Sequence, residues 1–222
     1  MTASRPDDAS AITVQFDRQD AVCSTSGRYR ADITAGSLKI AESRVIADLL
    51  LRGVDDTAWK QATVKDNALK ARNPETARRL TRLLRQRLET MSPELWRMVR
   101  DGTVVVTTHA VLAAAIKHSC LLGDFLDLAV RDQYRLFAKA LSKKLWFDFL
   151  EDCRGRDPQM PQWRESTILR LGSSVFQMLA QAGYIKDTRS MLLQRPHIAA
   201  EVIGYLERNK EDYVLRCITA GT

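Results

Sequence analysis

The sequence predicts an all-α protein in which one short β-hairpin is the candidate exception. It divides into an N-terminal helix-turn-helix-like unit and a helical C-terminal unit that carries a candidate wing. Three observations support this fold class. Apolar residues recur at helical spacing along most of the chain. Glycines, and Ser-Pro or Asn-Pro pairs, stand where helices would end or begin. The 222 residues, 45% of them hydrophobic and 27% charged, are enough to bury a globular core.

The first two helices follow from an apolar run and two kinds of cap. Apolar residues between Leu38 and Leu51 form one side of a long helix. Gly53 suits the left-handed position that ends such a helix. Asp55 and Asp56 then offer N-caps for a second helix, which a polar turn follows.

The third helix has the clearest start signal in the chain. Asn73 is its predicted N-cap and Pro74 its first residue, and the helix is expected to run to about Thr90. Two separate stripes lie along it at helical spacing. The expected buried stripe is Leu80, Leu84 and Leu88; the expected exposed stripe is Arg78, Arg82 and Arg85, flanked by Arg79 and Arg87.

The middle of the chain predicts buried helices. Ser92 and Pro93 start a fourth helix that Gly102 closes. Residues 103–118 join three valines of strand propensity to an apolar helical run, so we expect a core helix entered through a short extended piece. Ser142 then caps a helix with an apolar, aromatic face.

The last part of the chain predicts a linker and a second helical unit. Gly155–Pro161 concentrates helix breakers. Ser166 opens an amphipathic helix that Gly183 stops, and one or two helices close the chain. Between them, Tyr184–Arg195 has the order of a hairpin wing. A β-turn that merely closes the domain is the alternative, since no Asn-Gly signal is present.

These signals divide the chain into four predicted segments. Residues 1–27 are polar and predict a disordered or loose arm. The folded segments are residues 28–102, a basic helix-turn-helix-like domain; residues 103–154, a helical core or bridging segment; and residues 162–222, a C-terminal helical domain for which a winged helix is the candidate architecture.

Positive charge is concentrated in the first folded third. The chain has a net charge of +7. Residues 28–100 alone carry sixteen basic and nine acidic groups, whereas residues 101–222 carry sixteen and fourteen. A surface that only solubilises would be more evenly mixed, so the asymmetry favours a local contact with an anionic partner, above all nucleic acid.

Nine basic residues are the candidate DNA contacts. Arginines on a cleanly capped helix can reach phosphates or guanine edges in the major groove. A solvated face of an ordinary bundle helix is the alternative for this stripe. The candidates are Lys70, Arg72, Arg78, Arg79, Arg82 and Arg85 at the third helix, with Lys186, Arg189 and Arg195 in the hairpin segment.

No pattern in the sequence predicts catalysis, a metal or a cofactor. The only close His/Cys group is His109, His118 and Cys120, and its spacing does not define a tetrahedral site. The carboxylate pairs Asp124/Asp127 and Asp148/Asp152 are helical neighbours, for which we expect a solvated face. Nucleotide-binding and nucleophile-elbow motifs are absent from the sequence. We therefore expect a protein that is not an enzyme.

The location predicted from sequence is cytoplasmic, without membrane insertion. The N-terminus lacks the apolar region of a signal peptide. The run Val111–Ile116 is far shorter than the roughly 20 apolar residues that span a bilayer. Four irregularly spaced cysteines indicate reduced thiols.

Three segments resemble one protein family. They are YRADITAGSLKIAESRVIADLLLRG (29–53), NPETARRLTRLLRQRLE (73–89) and SSVFQMLAQAGYIKD (173–187). They are similar to BrxA, a small protein of bacteriophage exclusion (BREX) loci, over about residues 28–210. The resemblance implies an all-helical, DNA-binding protein that acts beside a methyltransferase, an ATPase and other BREX factors. It supplies no catalytic residues.

We therefore expect a non-catalytic subunit of a phage-defence system that binds double-stranded DNA. An RNA-binding adaptor is the first alternative, because the family compares with RNA-binding proteins of the NusB type. Such a mode would need exposed aromatic side chains. The second alternative is a scaffold whose basic face docks an acidic BREX subunit.

Overall fold

A computed structural model of the chain describes residues 27–33 and 37–222. The predicted arm, residues 1–27, lies outside the described residues apart from Gly27. The described part contains α1 (Ile40–Arg52), α2 (Asp56–Lys60), α3 (Pro74–Glu89), α4 (Pro93–Asp101), α5 (Val104–His118), α6 (Cys120–Asp124), α7 (Arg131–Arg135), α8 (Lys143–Arg156), α9 (Glu165–Gln181), α10 (Ala200–Arg208) and α11 (Asp212–Ile218). A π-helical stretch, Gln61–Lys65, prolongs α2, and another, Phe125–Val130, joins α6 to α7. The all-α prediction is confirmed.

Helix α5 is the central element of the fold. Every residue from Val106 to Ile116 is buried, because α1, α3, α4, α10 and α11 pack around the helix. The extended entry predicted for this segment is wrong, since Val104 is already helical. The Thr103 side chain caps the helix by accepting from the Val106 N–H, and burial on all sides outweighs the strand propensity of the valines.

Most predicted helix ends are confirmed by their capping contacts. The Asn73 side chain accepts a hydrogen bond of 2.8 Å from the Thr76 N–H and so starts α3. Asp55 caps α2 in the same way, and Ser142 caps α8. Gly53, at φ 59°, ends α1 in the left-handed conformation. Helix α9 begins at Glu165, one residue before the predicted start.

Helices α1 to α4 form the basic N-terminal part of the fold. Helix α1 packs against α4 and α3, and α3 also packs against α5 and the π-helical stretch after α2. Leu80, Leu84 and Leu88 make the buried side of α3, as predicted. The helix-turn-helix-like geometry of this unit stays a prediction.

Tyr184–Arg195 is held by isolated β-bridges. Ile185 pairs antiparallel with Leu193, and Leu192 pairs antiparallel with Ala140. The Lys186 N–H donates to the Leu192 carbonyl at 2.9 Å. The segment thus folds back on itself through single bridges and does not form extended strands. A role for it as a wing stays a prediction.

Buried apolar side chains form one cluster that extends from Tyr29 to Ala220. Long-range hydrogen bonds cross the predicted segments: the Ser92 N–H donates to the Tyr205 hydroxyl, and the Ala199 N–H donates to His109 Nδ1. The predicted segment boundaries themselves stay a prediction.

Two further features bear on the expected environment. Within residues 27–33 and 37–222, no single helix is long and apolar enough to cross a membrane; Val104–His118 and Cys120–Arg135 meet that test only together, with a bend of 109° between them.

Cys153 and Cys217 are free and buried. Cys120 is disulfide-bonded, so the prediction of reduced thiols is wrong for this residue.

Candidate nucleic-acid interface

Helix α3 and the turn before it present six of the candidate DNA contacts to solvent. Lys70, Arg72, Arg78, Arg79 and Arg82 are exposed, and Arg85 is partly buried. The Asn73 cap and Pro74 fix the start of the helix, and the leucine stripe fixes its rotation by facing the core. The arginines therefore project from a rigid element.

Ion pairs divide these six residues into two groups. Arg85 lies 2.7 Å from Glu89, 3.7 Å from Asp56 and 4.8 Å from the centre of the Trp59 ring. Arg78 lies 3.6 Å from Glu75. In the part of the chain that the structure describes, no ion pair is made by the other four, Lys70, Arg72, Arg79 and Arg82. Those four are available for an anion without breaking an internal contact.

Arg87 differs from the arginines beside it. The sequence placed it at the flank of the exposed stripe, which is wrong, because the side chain is only 1% exposed. Position 87 lies one turn beyond Leu83 and beside Leu84, on the side of α3 that faces the core. All three of its guanidinium nitrogens lack a hydrogen-bond partner. Burial lowers the pKa of Arg87 to about 10, so the group stays positively charged near pH 7.

The three C-terminal candidates surround a tight turn. Lys186, Arg189 and Arg195 are exposed, and none forms an ion pair with another described residue. The Asp187 carboxylate shapes the turn by accepting from the Arg189 and Ser190 N–H groups at 2.8 and 2.7 Å. These contacts hold the pKa of Asp187 below its usual value.

Arg195 belongs to a basic cavity that the sequence did not reveal. Arg131, Arg135 and Arg195 line this cavity together with Tyr134 and the chain from 220 to 222. Arg131 is also held by Asp127 at 3.0 Å. Residues 131 and 195 are far apart in the chain, and only tertiary packing brings them together.

A second cavity lies beside α3. Its volume is about 350 Å³, and its lining residues are Asp32, Lys39, Thr76, Arg79, Leu80, Arg82, Leu83, Gln86 and His118. It places two candidate DNA contacts, Arg79 and Arg82, beside Lys39 and His118, which the sequence did not connect with them.

The carboxylates of α6 and α8 are engaged by basic side chains. Asp124 is 4% exposed, so the expected solvated face is wrong for it. It accepts hydrogen bonds from Arg28 and from the Tyr29 and Tyr213 hydroxyls, each with a contact of 2.8 Å. Asp148 pairs with Lys144 at 2.5 Å. No group of three or more His, Cys, Asp or Glu among the described residues is arranged to hold a metal ion.

Comparison with known proteins gives consistent matches over most of the chain. A family model described as BrxA matches residues 27–210. BREX protein BrxA of Paramagnetospirillum magneticum (strain ATCC 700264 / AMB-1) is 54% identical over 191 residues, which cover 86% of this chain and 96% of the relative. BREX protein BrxA of Escherichia coli O9:H4 (strain HS) is 32% identical over 177 residues, covering 80% and 83%.

A solved structure has the same fold. The crystal structure of an uncharacterized protein from Magnetospirillum magneticum is 52% identical, with a TM-score of 0.81, and the match covers 86% of this chain and 98% of that one. Family model, relatives and structure agree over nearly all of the described residues. The chain belongs to the BrxA family.

Proposed function

We propose that this protein is a cytoplasmic, non-catalytic component of a BREX phage-defence system and binds double-stranded DNA. Family membership and the printed names of the two relatives support the BREX assignment. One structural observation carries the DNA assignment. Seven of the nine candidate residues, all except Arg78 and Arg85, are exposed basic side chains that make no ion pair among the described residues.

Free surface cations favour phosphate as the ligand. A basic side chain that has no acidic partner can neutralise a phosphate and release a counterion without losing an internal contact. Contacts to phosphate fix the position of a protein on a duplex and carry no sequence information. We therefore propose a largely sequence-tolerant mode in which α3 lies against the duplex and the Lys186–Arg195 turn makes a second contact.

An RNA-binding adaptor is the second candidate, and one residue favours it. Phe137 is 86% exposed. It follows Arg135, which lines the same cavity as Arg195. An exposed aromatic ring two residues after an arginine is suited to stacking on an unpaired base. A competition of duplex DNA, single-stranded DNA and RNA of equal length separates the two candidates, and we expect the duplex to bind most tightly.

Charge reversal tests the location of the contact. The test variant carries Lys70→Glu, Arg72→Glu and Arg78→Glu, and the matched control carries Lys143→Glu, Arg154→Glu and Arg164→Glu, also exposed basic positions. Each phosphate contact adds about 0.9 to the slope of log affinity against log salt. We expect the test variant to lose up to about three of these increments and the control to keep the wild-type slope.

The outcome separates DNA binding from a scaffold role. Equal loss in both variants would show that only the total charge matters and would contradict an α3 interface. Wild-type protein that fails to bind duplex even at low salt would instead favour the alternative in which the basic face docks an acidic BREX subunit.

The proposed absence of catalysis has its own test. Plasmid DNA incubated with the protein, Mg²⁺ or Mn²⁺ and ATP should show no nicking and no release of phosphate. Cleavage that co-purifies with the protein and is lost in Asp148→Ala would contradict the proposal.

A further inference from the structure

One row of side chains on α3 connects the cavity beside this helix to a buried charge. Thr76, Leu80 and Leu83 line the cavity. Arg87 is the next residue of the same row, since positions 76, 80, 83 and 87 follow helical spacing. It lies behind the lining residues, in the interior of the protein.

The charge of Arg87 acts on two residues of the cavity lining that lie outside α3. Its positive charge contributes to the lowered pKa of His118, after burial, and it favours the ionised form of Asp32. Both of these residues line the cavity. Such effects fade with distance, and Arg87 is one helical turn beyond Leu83, which lines the cavity. Both observations indicate that Arg87 lies just behind the lining.

The buried, unpartnered guanidinium of Arg87 favours the binding of an anion. Buried charged groups in proteins are ordinarily paired and hydrogen-bonded. Arg87 has neither a hydrogen-bond acceptor nor an ion pair among the described residues. Asp32, whose charge acts on the pKa of Arg87, accepts a hydrogen bond of 2.6 Å from the Ser119 hydroxyl instead.

The lining of the cavity specifies the kind of anion. Arg79 and Arg82 supply two cations, and Lys39, which also pairs with Glu42 at 3.4 Å, supplies a third. Asp32 is the one carboxylate in the lining, and Leu80 and Leu83 supply an apolar wall. Arginine guanidinium groups match phosphate in a planar, bidentate geometry. A volume of about 350 Å³ lies at the small end of the range for organic ligands. These features together suit a phosphate joined to an organic group that can lie against an apolar wall.

We infer that this cavity binds a nucleoside monophosphate, with Arg87 turning toward the phosphate and the base lying against Leu80 and Leu83. The nucleotide is either free in solution or the 5′-terminal nucleotide of a DNA strand. The cavity shares Arg79 and Arg82 with the proposed duplex interface. Arg87 is buried and is no part of that surface, so a variant of Arg87 tests the cavity separately.

Thermal unfolding of the full chain tests the inference, with deoxyadenosine monophosphate, deoxyadenosine and inorganic phosphate as probes. A ligand that binds only the folded state raises Tm by mass action. At 100 times its Kd, the monophosphate should raise Tm by about 5–10 °C. Deoxyadenosine and inorganic phosphate should each bind at least about tenfold more weakly, since each lacks half of the recognised group.

Arg87→Met is the decisive variant. Methionine fills a similar volume without charge, so the ligand-free variant should melt at or above the wild-type Tm and yet lose at least tenfold in affinity for the monophosphate. The matched control is Arg97→Met, an exposed position of α4 outside both the cavity and the proposed duplex interface, which should bind the nucleotide as wild type does. If Arg87→Met does not fold, Gln86→Glu is the second variant. It places a negative charge at an exposed position of the lining, which should repel the phosphate and weaken binding.

A duplex with and without 5′-phosphates separates the two sources of the nucleotide. A preference for phosphorylated ends that disappears in Arg87→Met identifies a DNA end, and binding of the free monophosphate without such a preference identifies a free nucleotide. Unchanged Tm with every probe, together with no preference for phosphorylated ends, would overturn the inference. Equal affinity for inorganic phosphate would overturn the assignment to a nucleotide. Loss of duplex binding alone would count only against the proposed interface.

Discussion

Arginines of one helix have different roles according to the side they occupy. Arg82 is exposed, Arg85 is held by Glu89 and Trp59, and Arg87 is buried without a partner. Elsewhere Arg44 donates to the carbonyls of Arg100 and Gly102, each at 2.7 Å. The net charge of residues 28–100 therefore overstates the charge that this part of the chain offers to a ligand.

Asp124 tests how much one buried carboxylate contributes to stability. Asp124→Asn should lower the free energy of unfolding by about 1–3 kcal/mol, because the buried Tyr29 and Tyr213 hydroxyls and the partly exposed Arg28 lose their charged acceptor. Asp148→Asn is the control, since its partner Lys144 is exposed and such pairs contribute at most about 1 kcal/mol. Urea titration of both variants measures the difference, and equal losses would contradict the assigned role of the Asp124 cluster.

His118 makes stability depend on pH. Burial, with the charges of Arg87 and Arg30, lowers its pKa from 6.5 to about 4. Between these values the unfolded chain binds more protons than the folded one, so stability is full above pH 6.5 and falls as the pH drops toward 4. The loss should be on the order of 2–3 kcal/mol at most. The raised pKa of Asp32 acts in the opposite direction and the lowered pKa of His109 in the same one.

Comparison with His118→Gln separates the contribution of His118 to the pH dependence of stability from those of Asp32 and His109. Urea unfolding of both proteins at pH 7.5 and pH 5 is the measurement, and the variant should lose less stability than wild type. An identical loss in the two proteins would mean that His118 titrates as an ordinary histidine.

At the scale of elements, local signals predicted the helices well. Asn73, Asp55 and Ser142 each make the capping contact that their position indicates. The start of α5 could not be read in this way, since burial on every side decides its conformation. The cavities were also beyond prediction, because Lys39 and His118, or Arg131 and Arg195, meet only through long-range packing.

Two glycines in neighbouring helices should respond oppositely to the same substitution. A Cβ at Gly172 in α9 would lie 2.7 Å from Cδ1 of Trp146, which is 1% exposed and bonded to the Ile168 carbonyl. Gly172→Ala should therefore cost about 1–3 kcal/mol by overpacking. Gly155→Ala in α8 meets nothing within 4 Å and should stabilise by about 0.5 kcal/mol. Chemical denaturation measures both, and a stabilising Gly172→Ala would contradict the packing of α8 on α9.

For the whole molecule, the main question is how independent the predicted segments are. The sequence places a boundary at Gly155–Pro161, and the chain there is indeed non-helical from Asp157 to Arg164. Contacts that span it are numerous: the Leu38 N–H donates to Gln181, Lys117 pairs with Glu211, and Arg208 pairs with Glu94 at 2.6 Å. Such contacts make the stability of each segment depend on the others.

We therefore expect one cooperative unfolding transition. A single apolar cluster from Tyr29 to Ala220 cannot lose the side chains of residues 162–222 without exposing α5, whose residues 106–116 are all buried. Circular dichroism and tryptophan fluorescence should give coincident denaturation curves, because Trp59 and Trp146 precede the boundary, Trp163 follows it, and all three pack in the core. Limited trypsin digestion supplies a second measurement, since Arg154 and Arg156 are exposed at the end of α8. Cleavage there should destabilise both fragments together. Two separate transitions, or a C-terminal fragment from residue 155 or 157 that stays helical after cleavage, would instead support independent domains.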